Sequence, residues 1–209
     1  MRISRVAPAG VLFLLCVCLT AAALAAESDQ PDWKPLTDGK TLSGWHAVGD
    51  GKWTVEDGAF VGRANKEKLY GLLVSDKTFK DFTVRLKFKA VKGNSGLYFR
   101  VEEVKSGVGA HGFQAEIADR GGIGGLYETG GRAWVVQPKP EQVQEYFKPG
   151  EWNEMTVTAK GRDVTVTVNG VTTAELKNDP GRTEGHIALQ LHGGQDMHVE
   201  FKDVDIREY

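Results

Sequence analysis

Several stretches of the chain alternate apolar and polar residues with the period of two expected of a half-buried strand. The cleanest runs from Phe82 to Lys89. Phe82, Val84, Leu86 and Phe88 share one face, and Thr83, Arg85, Lys87 and Lys89 share the other. That predicts a strand with one face on a core and one in water. Trp53-Thr54-Val55 and Ala59-Phe60-Val61 read as a hairpin turned at Glu56-Asp57-Gly58. Val91 to Gly96 turns the chain into a further strand through Tyr98 and Arg100. Glu154–Ala159, Val164–Val168 and Val171–Leu176 form a meander, closed by Gly161-Arg162 and then by Asn169-Gly170. Asn-Gly is a strong hairpin signal because both residues tolerate positive φ. Met197–Phe201 and Val204–Ile206 give two last strands around Lys202-Asp203. The one expected helix is short, within Glu141–Phe147. Many short antiparallel strands on one core mean an all-β fold of two packed sheets, a sandwich or jelly roll.

Three strands carry an outward face of a different kind. In Gly112–Asp119, Phe113, Ala115 and Ile117 point one way, and Gln114 and Glu116 the other. In Leu97–Val101, Leu97, Phe99 and Val101 share a face opposite Tyr98 and Arg100. In His186–His192, Ile187, Leu189 and Leu191 face inward, with Gln190 and His192 outward. An ordinary solvent face favours Lys, Thr and Glu. Arg, Tyr, Gln, Glu and His together instead bind oriented ligands and move protons.

Composition narrows the setting. Residues 1–26 read as a signal peptide: a basic Met1–Arg5, an apolar Val11–Leu19 and a small-residue cleavage site at Ala23-Leu24-Ala25. The apolar run is too short and too early to favour a spanning helix, so the mature chain has no membrane span. The expected location is periplasmic or secreted. Residues 27–35 are a flexible polar lead-in, and 36–209 are one β-sandwich domain. Both cysteines, Cys16 and Cys18, leave with the signal peptide, so no disulfide framework remains and the core must hold the domain. The mature chain keeps 24 basic against 28 acidic side chains, which argues against nucleic acid or an anionic membrane as partner.

Familiar motifs dissolve on inspection. Gly107–Gly112 matches a dinucleotide fingerprint by letter, but a strand follows it where a helix is required. Asp38-Gly39-Lys40-Thr41 ends like a phosphate loop, with Lys34 where the first glycine belongs. His186, His192 and His198 recur every six residues, a poor match to metal-ligand spacing. Gln114, Glu116 and Asp119 are the sharpest candidates, a carboxylate with orienting neighbours. Arg100 holds a ligand oxygen or pairs with Glu116, and as a neighbour would keep that carboxylate ionised. His192, before Gly193-Gly194, is a candidate acid or base. The glycine-rich loop Gly121–Arg132 carries Tyr127, Glu128 and Arg132. Trp134 is placed to stack on a sugar, whereas Trp33, Trp45, Trp53 and Trp152 read as core or seam residues.

Taken in order, Leu42-Ser43-Gly44-Trp45, Trp53–Gly58, Asp81-Phe82, Asn94–Arg100, Gly112–Ile117, Gly150–Asn153, Val168-Asn169-Gly170 and Ile187–Gly194 resemble the 3-keto-disaccharide hydrolase domain family, also described as 3-keto-glucoside lyase/hydratase. The resemblance spans nearly the whole mature chain. It implies a concanavalin A-like jelly roll of two antiparallel sheets, with a ligand groove on one face, in an exported bacterial protein. Many family members carry Glu where Gln114 stands and Gln where Glu116 stands; here the order is reversed. The spacing of Gln114, Glu116 and Asp119 also resembles retaining β-glucanases of the same fold. Those need two carboxylates about 5 Å apart, and Gln114 fills the first slot, so direct glycoside hydrolysis is not expected.

The chemistry the resemblance implies starts from a ketone at C3 of a sugar. A base removes the C2 proton, the C1 substituent leaves, and water adds to the double bond. Glu116 is expected as base, Arg100 as stabiliser of the C3 oxyanion and His192 as proton donor. Tyr98, Gln114, Asp119, Tyr127, Glu128, Arg132, Trp134 and Gln190 are expected to bind substrate. A divalent metal in place of or beside Arg100 stays open, as does the oligomeric state. The expected partner is an oligosaccharide or glycoside. The alternative is a non-catalytic, lectin-like carbohydrate-binding module, since the same fold serves both.

Overall fold

The computed structural model describes residues 32–105, 107–118 and 121–209. The expected signal peptide, most of the lead-in and Asp119 lie outside them. The described residues form two antiparallel sheets. In the first, the spatial order is β13 (Val171–Leu176), β12 (Asp163–Val168), β11 (Asn153–Lys160), β6 (Phe82–Lys92), β15 (Met197–Glu208), β4 (Ala59–Ala64) and β3 (Lys52–Glu56), with β1 (Lys34–Pro35) pairing on β15. In the second it is β10 (Ala133–Val136), β9 (Leu126–Thr129), β8 (Ala110–Ala118), β7 (Asn94–Glu103), β14 (Gly185–Leu191), β5 (Gly71–Phe79) and β2 (Trp45–Gly49). The helix α1 (Pro140–Tyr146) stands one residue ahead of the expected span, with Pro140 at a position where no N–H is needed. No helix among the described residues is long and apolar enough to cross a membrane.

The core lies between the sheets, where the two sets of inward positions meet. Phe82, Val84, Leu86 and Phe88 of β6 are fully buried, as the alternation predicts. They face Leu97 and Phe99 of β7 and Phe113, Ala115 and Ile117 of β8. Phe99 packs edge-on to Phe82 at 6.5 Å and parallel to Phe113 at 5.4 Å between ring centroids. Truncating such a ring to alanine costs about 3–5 kcal/mol. The hairpin β3–β4 and the meander β11–β12–β13 form where expected. Their turns use positive φ at Asp57 and Gly58, and at Asn169 and Gly170. Asn169 fits because its amide also donates to the Tyr146 carbonyl at 2.7 Å.

Three particulars depart from the alternation. The two last strands are one, β15, whose register shifts between Lys202 and Asp205, where Asp203 takes φ +51°. What reads as a turn is thus a β-bulge. The first sheet also takes in Lys34 and Pro35 from the polar lead-in, and the Arg85 guanidinium sits 4.2 Å from the Trp33 ring centroid. The third departure is in β7. Its register with β8 slips between Phe99 and Glu102, and Arg100 adopts φ +52°. The bulge inverts the phase of the strand. Val101 therefore leaves the Leu97/Phe99 face and joins Tyr98, Leu72, Val74, Ala110 and Ala188 in a small second apolar cluster.

Candidate functional site

The outward face of the second sheet holds a chamber of about 300 Å³. Register places its walls. Trp134 pairs with Tyr127, Tyr127 with Gln114, and Gln114 with Tyr98, one row running across four strands. Glu116 stands two residues along β8 from Gln114, hence on the same face. It opposes Gly96. A Cβ at Gly96 would come within 2.5 Å of the Gln114 side chain, so glycine there lets the carboxamide lie across β7. Gln190, near the end of β14, and His192, just beyond it, complete the set with Tyr70 and Asn94.

The polar groups form one connected network. The Gln114 amide donates to Glu116 Oε2 at 2.8 Å and to Gln190 Oε1 at 3.2 Å. Asn94 donates to the other Glu116 oxygen. Gln190 donates to the Tyr98 hydroxyl at 3.1 Å, which in turn meets Thr129 Oγ1 at 2.9 Å. Ser95 Oγ donates to the Gln190 carbonyl at 2.6 Å and pins that strand end. Glu116 is only 5% exposed, and no Lys or Arg among the described residues lines the chamber. Loss of water pushes its pKa up to about 7, against the downward pull of Asn94. The same burial raises the Tyr98 and Tyr70 hydroxyls, keeping both protonated as donors.

His192 is held at both ring nitrogens. Nδ1 lies 2.7 Å from the Gly193 carbonyl and 3.1 Å from the Gln195 amide. The carbonyl calls for a proton on Nδ1, which leaves Nε2 to accept the Tyr70 O–H at 2.8 Å in the neutral ring. The two rings also pack, with centroids 4.5 Å apart. Tyr70 thus presents at the chamber a hydroxyl whose orientation His192 holds.

Of the expected residues, the structure brings together Tyr98, Gln114, Glu116, Tyr127, Trp134, Gln190 and His192. It does not bring Arg100. Because of the bulge in β7, the guanidinium turns away, donating to the Lys80 carbonyl at 2.7 and 3.1 Å, the Arg182 carbonyl at 3.3 Å and Asp81 at 3.4 Å. It is 1% exposed. The expectation that Arg100 sits beside Glu116 and keeps it ionised is therefore overturned. Glu128 and Arg132 are also elsewhere. Glu128 pairs with Phe113, the opposite parity to Tyr127. Arg132 clamps both Asp179 oxygens at 2.7 and 2.9 Å and also bonds Glu128, a brace between loops outside the chamber. His186 Nδ1–H donates to the Ser75 carbonyl, and His198 lies on the other sheet, so the three histidines do not converge. Sequence reasoning missed Tyr70, Asn94, Thr129 and Gln195. Asn94 had a signal, since it opens the run that ends at Arg100.

Among the described residues no group of three His, Cys, Asp or Glu side chains is placed to hold a metal ion. Among the described residues the chamber offers one carboxylate and one imidazole among amides and phenols, fewer charged oxygen ligands than a dedicated calcium site uses. A larger cleft of about 560 Å³ lies on the first sheet, with Asp38, Arg85, Lys87, Glu154, Asp203 and Asp205 around it. Its charges are not buried, and Arg85–Asp205 and Lys87–Asp203 neutralise one another at 2.9 Å. The smaller chamber carries the buried carboxylate whose pKa is raised.

A family model described as the 3-keto-alpha-glucoside-1,2-lyase-like domain matches residues 32–207. No curated protein matches the chain. Among solved structures, a protein from Parabacteroides distasonis provisionally assigned as a glycosyl hydrolase is similar at 25% identity and TM-score 0.63, over 85% of this chain and 99% of that one. A carbohydrate-binding module from Bacillus subtilis is similar at 16% identity and TM-score 0.61, over 81% and 98%. A Bacillus subtilis protein of unknown function with a galectin-like fold is similar at 15% identity and TM-score 0.62, over 84% and 94%. The last two speak to the fold alone.

Proposed function

Because the chain belongs to the 3-keto-alpha-glucoside-1,2-lyase-like domain family, we propose that it is an exported carbohydrate-active enzyme. It cleaves 3-keto-glycosides by C2 proton abstraction, C1 elimination and hydration. The observation that carries this reading is Glu116: a buried carboxylate, aimed by Gln114 and Asn94, with its pKa raised to about 7. A base poised near the working pH takes a carbon-bound proton most effectively.

The steps balance with the residues present. The Glu116 carboxylate takes the C2 proton, and the C–H electrons form an enolate onto the C3 oxygen. The Tyr98 hydroxyl and the Gln190 amide are the donors available to that oxygen, in place of the departed Arg100. The enolate then reforms C3=O, makes a C1=C2 double bond and breaks the bond from C1 to the leaving oxygen. Tyr70 turns its hydroxyl from His192 Nε2 to that oxygen and gives it its proton, leaving a phenolate. Water then adds its hydroxyl at C1 and its proton to the Tyr70 phenolate, and Glu116 returns its proton to C2, giving net hydrolysis. The test is aglycone release from a 3-keto-glucoside, with the unoxidised glucoside as control. Turnover of the keto substrate alone is expected. Equal turnover of both, or of neither, overturns the reading.

One observation favours a second reading. Trp134 is 38% exposed at the rim, edge-on to Tyr127 at 5.5 Å, a wall of the kind that stacks on sugar rings. A pure binding module would show no turnover, with saturable sugar binding that Trp134→Ala removes and Glu116→Gln leaves intact.

A further inference from the structure

A histidine outside the chamber is bound to two carboxylates at once. His46 lies on β2, where Trp45 points into the core, so His46 and Val48 share the outward face of the second sheet. Its Nδ1 meets Asp76 Oδ1 at 2.8 Å and its Nε2 meets Glu103 Oε1 at 3.0 Å. Asp76 belongs to β5, the neighbour of β2, and Glu103 to the end of β7, beyond β14. Glu103 opposes Ala110 in the last pair of the β7–β8 hairpin, and that end of the hairpin leans across β5 onto β2. A Cβ on Gly109 would lie 3.2 Å from the Val48 side chain. Val48 and Val108 both pack on the second apolar cluster, the one that holds Tyr98. Val108 is also a wall of the chamber. The three side chains therefore tie a chamber wall to the edge strand of the sheet.

Two carboxylates can both accept from one imidazole only when both ring nitrogens carry protons. A neutral ring has one N–H, and its other nitrogen turns a lone pair toward a carboxylate. Asp76 is fixed beside β2 by the sheet itself, its N–H donating to the Gly44 carbonyl at 2.8 Å. The contact to Glu103 is thus the one that yields. Asp76 and Glu103 are the charges that bear on His46 among the described residues. The neighbouring Glu102 is taken up by Arg182 at 2.7 Å. We infer that His46, Asp76 and Glu103 form a proton-operated clasp, which fixes the Val108 wall of the chamber when His46 is charged and frees it when His46 is neutral. The bond to Asp76, with that to Glu103, raises the His46 pKa above its usual 6.5, against the pull of partial burial. A raised pKa means that the folded state holds this proton more tightly. The clasp's contribution is therefore full below 6.5 and lost as pH rises through the raised value. As a regulator of turnover the clasp rests on the elimination reading above. It opposes Glu116, which works deprotonated, so the two titrations bracket the working range.

The decisive variant is Glu103→Gln. Its amide accepts from the charged ring or donates to the neutral one, so it keeps the clasp shut in either state. KM of the wild type for methyl 3-keto-glucoside should rise about two- to fivefold from about pH 6 to about pH 9, the scale of one exposed ion pair. Glu103→Gln should keep the lower value throughout. Titrations inside the chamber are common to both proteins and cancel in the ratio. Parallel KM profiles overturn the inference while leaving the elimination reading standing. Two NMR measurements need no turnover. The His46 Cε1–H signal should titrate above 6.5 in the wild type and lower in Glu103→Gln. Relaxation of the Val108 and Gly109 amides should report greater motion above that midpoint in the wild type alone. A His46 midpoint at or below 6.5, or hairpin amides indifferent to it, overturns the clasp. Absence of turnover overturns the elimination reading, and the NMR result then decides the clasp by itself.

Discussion

The outward faces of β6 and β8 follow the same alternation and do opposite things. On β6, Arg85, Lys87 and Lys89 reach into water and pair with Asp205, Asp203 and Glu200 across the first sheet. On β8, Gln114 and Glu116 lie under a roof of Tyr70, Tyr127 and Trp134, where every polar atom must find a partner inside the protein. The first face is long flexible side chains with exchangeable partners. The second is short amides and one carboxylate, each held by a strand neighbour. Alternation alone makes a two-faced strand. The residue types on the polar side decide whether that side is solvated or functional.

That contrast is open to direct attack. Glu116→Gln should lower kcat/KM for a 3-keto-glucoside about 10²–10⁴-fold, the usual worth of a general base, with far-UV spectra confirming the fold. Retained activity would remove Glu116 as base. Next is pH. Folded Glu116 titrates at about 7, above its ordinary 4.5, so the native state holds the proton more tightly. Wild-type stability should therefore fall relative to Glu116→Gln as pH rises from 4.5 to 7, by roughly 3 kcal/mol. Urea unfolding of both proteins at pH 5 and pH 8 measures it, and parallel changes would refute the burial argument. Activity should show an acid limb near pH 7, since the base works deprotonated. Gln190→Ala strips Gln114 and Tyr98 of a partner and should cost about 1–3 kcal/mol, the penalty of unpaired buried polar groups. Smallest of all, Lys87→Ala on the solvated face should cost about 0–1 kcal/mol, because exposed ion pairs contribute little. A larger loss there would erase the distinction between the faces.

Legibility in the sequence followed the same divide. Period-two runs located the strands, because a one-residue slip would put Phe82, Val84, Leu86 and Phe88 in water. They also oriented Gln114, Glu116, Tyr98 and Gln190 correctly. Arg100 failed because alternation assumes an unbroken ladder, and one residue at φ +52° resets the count. Nothing in the letters of Leu97–Val101 marks that bulge. Glu128 failed for a simpler reason: its neighbour Tyr127 faces the chamber, and adjacent strand residues cannot both do so. Tyr70 was invisible because it stands at a strand entrance, and only tertiary packing brings it 2.8 Å from His192, over a hundred residues away.

The placement of β15 has a consequence for how the domain comes into being. It is the last described strand in sequence, yet it lies inside the first sheet, between β6 and β4, and Ile206 pairs with Lys34 of β1. Without it that sheet falls into two unjoined pieces, β13-β12-β11-β6 and β4-β3, each with a raw edge. A ribosome must therefore deliver the domain through β15 before the core can close, and until then the polypeptide stays loose and threadable. Folding on this plan is a single event that waits for β15, like an arch that stands only when its keystone is set.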